Sequence, residues 1–258
     1  MRVFKESIMT AAAVVPPQEP APLSEGQRLI DVFFAPSKTF TDLRRSASWW
    51  APFLITAIVS LLFVYTVDQK VGFRKVAENQ IQSQPKQADR MERMPADQRE
   101  NAMRTQVKFT RIFSYAFPVV ILGWYAIVAA VLLATLKFGV SADVKYSTLF
   151  ALVNYAGLPG LLKSLLAILS LLAGVSSDGF TFQNPVATNP GYFVDAAAHP
   201  VLSRLLTSFD IFVFWTLALT AIGITCISKV KRGTAFAVVF GWLGVLVLIG
   251  VAFAAAFS

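Results

Sequence analysis

Any chemistry in this sequence has to be built around Lys163. It stands within one helical turn of Pro159 and Gly160, inside an otherwise apolar stretch, with Asn154 and Tyr155 just ahead of the break. A proline inside a helix removes a backbone donor and frees a carbonyl, and a lysine in hydrocarbon costs on the order of 3 kcal/mol on insertion scales. Such a lysine must face the interior of a bundle, pair with an anion, or snorkel outward. The interior partners in reach are Asp210, at the outer end of the fourth apolar stretch, and Thr216 and Thr220 along it. Two readings stand side by side. Broken helices carrying charges are how many transporters build sites, so Lys163, Asp210, Asn154, Pro159 and Thr216 can form a polar site for a small solute or ion. Equally, prolines kink structural helices, and Lys163 can be a structural or snorkelling group.

Other chemistry is thin. Gly157, Gly160, Lys163 and Ser164 imitate a phosphate loop, but that motif needs four residues between its glycines, the lysine directly after the second, and a strand before it. The single histidine, His199, sits before Pro200 in a loop, so no nucleophile and base pair can be assembled around it. The single cysteine, Cys226, reads as a small apolar packer. With one Cys and one His, disulfide frameworks and Cys/His metal clusters are excluded. The expectation is a non-enzymatic protein with no cofactor and no metal.

The elements that would position Lys163 follow from composition. Of 258 residues 55% are hydrophobic and only 15% charged, with a mean hydropathy of +0.59. That is membrane composition, since a soluble domain carries roughly a quarter charged residues. The net charge of +8 does not point to nucleic acid, because Lys and Arg flank apolar segments instead of forming a face with interleaved aromatics. Five apolar spans, at about 49–67, 113–136, 148–173, 209–227 and 234–257, each have roughly the ~20 residues needed to cross ~30 Å of hydrocarbon. Backbone groups in lipid must be satisfied internally, so the spans are helices and the fold class is an all-α polytopic membrane bundle of five transmembrane helices. Counting basic residues in the short connections places the N-terminus inside and the C-terminus outside. The 68–111 connection disagrees, with ten Lys/Arg against six acidic residues on the outer side, but long connections translocate with less regard to charge.

Around the 49–258 membrane domain the chain divides further. Residues 1–23, with Pro16, Pro17, Pro20 and Pro22, read as a disordered Pro-rich tail. Segment 24–48 opens on a Ser24/Gln27 capping box. It then places Phe40 and Leu43 three apart among Lys38, Arg44 and Arg45, the layout of an interfacial amphipathic helix in the headgroup plane; a solvated linker is the alternative. Residues 68–111 read as an extramembrane helical hairpin of two polar helices, broken at Pro85 and Pro95 and supported by Glu100/Arg104 and Asp89/Arg93 spacings. The outer loop 174–208 is rich in turn formers, and Phe180, Phe182, Tyr192 and Phe193 suggest that it folds back on the bundle. Small residues four apart, at Ala126, Ala130 and Ala134 and at Ala237/Gly241 and Gly250/Ala254, make faces for close helix approach, within the bundle or between copies.

The order of these features resembles the YIP1 family of five-span membrane proteins, in particular its bacterial branch. The residues are Arg28-Leu-Ile-Asp-Val-Phe-Phe-Ala-Pro36 with Phe40, Trp49-Trp50-Ala-Pro52, the Pro159 break, Asn184-Pro185, and Phe209-Asp-Ile-Phe-Val-Phe-Trp215 leading to Leu219, Gly223 and Lys229. The resemblance implies five helices and a cytoplasmic N-terminus. Eukaryotic relatives look like trafficking factors that engage prenylated Rab GTPases. Their Asp-Leu-Tyr-Gly-Pro motif is absent here, with Val32-Phe-Phe-Ala-Pro36 at the corresponding place, so Rab binding is not carried over, and the bacterial branch supplies no catalytic residues. The expectation is a multi-pass protein of the cell (inner) membrane that organises partners or lipids, in contact with membrane lipids and with a second copy or other membrane proteins. The alternative is a small transporter or channel at the broken third span.

Overall fold

The structure, a computed structural model, describes residues 21–174 and 178–257. The Pro-rich tail up to residue 20, and Ser176 and Ser177 of the outer loop, lie outside the described residues. Helices follow one another with no strand among the described residues. Four are long and apolar enough to cross a membrane: α3 (Trp50–Lys70); α7 (Phe117–Ala134), which continues through a π-turn to Gly139; α8 (Tyr146–Ala156) together with α9 (Pro159–Leu172); and α12 (Arg232–Phe257). A fifth crossing exists if α10 (Pro200–Thr207) and α11 (Ile211–Ile227), inclined at 44°, are one span. The apolar run of α11 is 17 residues, about 25 Å at 1.5 Å per residue and short of ~30 Å of hydrocarbon. Asp210 adopts an extended conformation between the two helices and caps α11, which sets the bend.

In the N-terminal segment, the face that carries Phe40 and Leu43 meets protein. Ser24 does form the capping box that starts α1 (Glu25–Phe34), and Pro36 opens α2 (Pro36–Asp42). Phe40 and Leu43, however, are fully buried with Val32 in a core shared by α8 and α11, beside Leu149, Leu152 and Ile224. Glycine on α11 makes the seat: a Cβ at Gly223 would come 2.6 Å from Leu152 Cδ1 and 3.2 Å from Phe40 Cγ. The apolar side chains that α1 turns outward are instead Ile30 and Phe34, 62% and 85% exposed. Spacing shows which residues share a helical face but not which neighbour covers that face.

At the opposite end a second cluster joins Phe63 and Val67 of α3, Ala167, Ile168 and Leu171 of α9, and Phe180 of the loop. Above it the 68–111 region has three helices where two were expected: α4 (Phe73–Gln82), α5 (Pro85–Glu92) and α6 (Ala96–Tyr115). Gly72, at φ 80°, makes the turn out of α3. Both prolines act as starters, Pro85 at the head of α5 and Pro95 as the residue capping α6. Val76 belongs to the second cluster, so α4 lies against the bundle, while α5 and α6 bury no residue. Arg74 ties α4 to α6 through both oxygens of Glu100, at 3.2 and 3.0 Å, and Arg104 bonds the same carboxylate from four residues on. These arginines, Arg74 first and Arg104 second, hold the Glu100 carboxyl below the usual carboxylate range.

Candidate functional site

Lys163 and Asp210 meet. Proline at the first position of α9 restarts the helix after Gly157 and Leu158 and carries Lys163 towards the N-terminus of α11. Its Nζ donates to Asp210 Oδ2 at 2.7 Å, with Lys163 20% exposed and Asp210 buried. The same oxygen accepts from Thr188 Oγ1 at 2.6 Å and from Asn189 Nδ2 at 3.3 Å. The other oxygen, Oδ1, caps α11 by accepting from the amides of Phe212 and Val213 at 2.9 and 3.4 Å. Asn189 Nδ2 donates also to Asn184 Oδ1 at 2.8 Å, and the Ile211 amide bonds back to the Thr188 carbonyl. The loop before α10 is thereby pinned into the bundle through its polar residues. Its aromatics divide: Phe180 and Phe182 pack around Phe63, while Tyr192 and Phe193 meet edge to face in the open.

The other expected site residues lie elsewhere. Asn154 Nδ2 bonds to the Phe150 carbonyl one turn back, at 2.8 Å. Thr220 Oγ1 bonds to the Thr216 carbonyl on its own helix. Among the described residues no bond links Asn154, Thr216 or Thr220 to Lys163. Thr188 and Asn189 had no distinguishing signal beyond the turn-forming composition of their loop. Three buried oxygens, Ser48 Oγ, Asn154 Oδ1 and Asn189 Oδ1, have no hydrogen-bond partner among the described residues.

A second polar cluster was invisible in the sequence. Arg28, counted there as a topogenic cation, is buried and bonds Asp42 Oδ2 through Nε at 2.8 Å and Nη2 at 2.7 Å. Nη1 reaches Glu25 at 3.2 Å, and Glu25 Oε2 accepts from Tyr155 Oη at 2.6 Å. Burial alone would lower the Arg28 pKa; the hydrogen bond and charge of Asp42, with Glu25 and Tyr155, outweigh it and hold the group above its ordinary value. This cluster fastens α1 and α2 to α8. Cys226 packs at the edge of the same core as a free thiol. No group of three His, Cys, Asp or Glu side chains gathers among the described residues to offer a metal centre.

Chemically, the Lys163–Asp210 pair is a closed clamp. Both carboxylate oxygens are occupied, so an exchanging ion or solute would have to break protein bonds to enter. Comparison with known proteins bears on the whole chain. Neither a curated protein nor a solved structure matches it. The Yip1 domain does, over residues 30–254. That range begins within α1, takes in α2, the clamp and the apolar helices as far as residue 254 of α12, and the chain therefore belongs to the Yip1 family and is an integral membrane protein.

Proposed function

We propose that the chain is a non-enzymatic Yip1-family protein of the bacterial branch, set in the inner cell membrane, that organises membrane lipids or membrane-protein partners. The observation that carries this reading is where the unsatisfied surface lies. Lys163 and Arg28 are paired inside, whereas only 6% of the apolar stretch of α12 is buried, and only 17% of that of α7 with its π-turn. A protein whose charges are spent on its own architecture, and whose apolar flanks are open, is built for contact with lipid or other helices. Five crossings, with the N-terminus inside and the C-terminus outside, accord with the basic residues. Arg44, Arg45, Lys137, Lys145, Lys229, Lys231 and Arg232 all adjoin the core shared by α1, α2, α8 and α11.

The rival, a small transporter or channel at the broken third span, has one observation in its favour, the unpartnered buried Asn189 Oδ1 beside the clamp. Extraction in native lipid patches, with mass spectrometry of what co-purifies, separates the two. Enriched lipid or a stoichiometric membrane protein supports the organising role. A homo-oligomer with neither, and solute flux lost in Lys163→Leu, would replace it with transport.

A further inference from the structure

Between α10, α12 and the outer loop lies a cavity of about 1260 Å³ that the clamp does not use. One wall is apolar and exposed: Trp124 of α7 and Leu246 and Ile249 of α12. Facing it is a polar wall from the loop and α10, with Asn184, Ser203 and Arg204. Arg204 lies across α12 at Gly250, where a Cβ would come 2.7 Å from its Nε and 2.9 Å from Nη2. Among the described residues no carboxylate lies in ion-pair range of Arg204. The acids lining the cavity are engaged elsewhere, Asp178 with Lys75 Nζ at 3.1 Å and Asp195 with the amides of Ala197 and Ala198 at 2.8 and 3.2 Å.

We propose that this cavity binds a phospholipid, with the phosphodiester on the Arg204 guanidinium and an acyl chain along Trp124 and α12. The inference rests on the lipid-organising reading above and assigns it a site. Gly250 lies about 27 Å along α12 from Arg232 at 1.5 Å per residue, close to the far edge of ~30 Å of hydrocarbon, where headgroups begin. Arg204 is exposed to the cavity, and the phosphodiester is the abundant anion of that zone. The forked donors of arginine match its two free oxygens. A free phosphate would satisfy Arg204 but leave the apolar wall bare; a lipid covers both.

The test uses the full chain in phosphatidylcholine nanodiscs doped with phosphatidylglycerol, with native mass spectrometry of the lipid retained on release. Wild type is expected to hold phosphatidylglycerol in preference to phosphatidylcholine, whose choline cation offsets the phosphodiester charge that Arg204 meets. Arg204→Gln should lower its apparent affinity about tenfold, or ~1.4 kcal/mol, with Arg204→Lys between the two. Gly250→Val removes no charge but displaces the guanidinium, and should match Arg204→Gln while the protein stays monodisperse. Retention unchanged in both Arg204→Gln and Gly250→Val overturns the site. Displacement of the lipid by inorganic phosphate, or a membrane protein found seated there instead, overturns it too. If the variants change nothing yet native patches remain enriched in lipid, the site falls and the organising role stands. Patches of bulk lipid composition without any protein partner would remove that role as well.

Discussion

Replacing Lys163 by leucine takes away the ammonium bonded to Asp210 Oδ2 at 2.7 Å and leaves a buried carboxylate without its counter-charge. Breaking a buried ion pair from one side costs about 3–5 kcal/mol. Asp210 keeps Thr188, Asn189 and the two amides of the α11 cap, and Lys163 is partly wet, so the cost falls near the lower bound, about 3 kcal/mol. For a chain of this size that corresponds to a melting temperature lower by about 6–12 °C. Thermal unfolding of the purified protein in one fixed detergent, followed by intrinsic fluorescence and by size exclusion, measures it. The decisive comparison is Lys163→Leu with Asp210→Asn. The neutral amide still offers Oδ1 to Phe212 and Val213 and leaves no buried charge, so the double variant should recover to within about 1–2 kcal/mol of wild type. If Lys163→Leu melts with wild type, or the double variant is worse than either single one, the clamp is not what holds loop, α9 and α11 together.

Arg28→Met strands Asp42 and should release α1 and α2 without unfolding the bundle; hydrogen exchange over 25–43 is expected to rise sharply, and protection equal to wild type would refute the fastening role of Arg28. The depressed Glu100 pKa implies that its contribution to α4–α6 docking is present above the ordinary glutamate range and fades as pH falls through the lower folded value. Spin-label distances between α4 and α6 should therefore lengthen in acid, and Glu100→Gln should already show the loosened distance at neutral pH and lose that dependence. A reporter fused after Ser258 is expected on the outer side of the membrane and one inserted near Gly233 on the inner side; the opposite pattern would mean that the basic 68–111 connection governs orientation.

What could be read from the chain in advance depended on whether the cause was local. The Ser24/Gln27 capping box, the interruption at Pro159 and the start of α6 after Pro95 are set by residues within one turn of each other, and each stands where its pattern places it. Lys163 and Asp210 could be proposed as partners because each is an ionisable group in apolar surroundings, and such groups must find one another. Thr188 and Asn189 could not, since a loop threonine and asparagine become site residues only through the tertiary path of 178–199. Arg28 misled for the opposite reason: a basic residue before an apolar helix looks the same whether it faces water or Asp42. The fourth span reads as 209–227, with 200–208 in the loop, because Arg204, Thr207, Ser208 and Asp210 interrupt the apolar run there; that 200–207 is a helix inclined at 44° to α11 across the Asp210 cap depends on tertiary placement.

The seat of Phe40 also says something about order in time. Phe40 leaves the ribosome early, but Leu152 and Gly223, between which it packs, are made much later. Until α11 has been threaded into the membrane, α1 and α2 have nowhere to go, and Val32, Phe40, Leu43 and the Arg28–Asp42 pair stay uncovered. Docking of α1 and α2 thus waits for α11, and a chain arrested before residue 223 would keep displaying an amphipathic handle to the chaperones and proteases that patrol the membrane face.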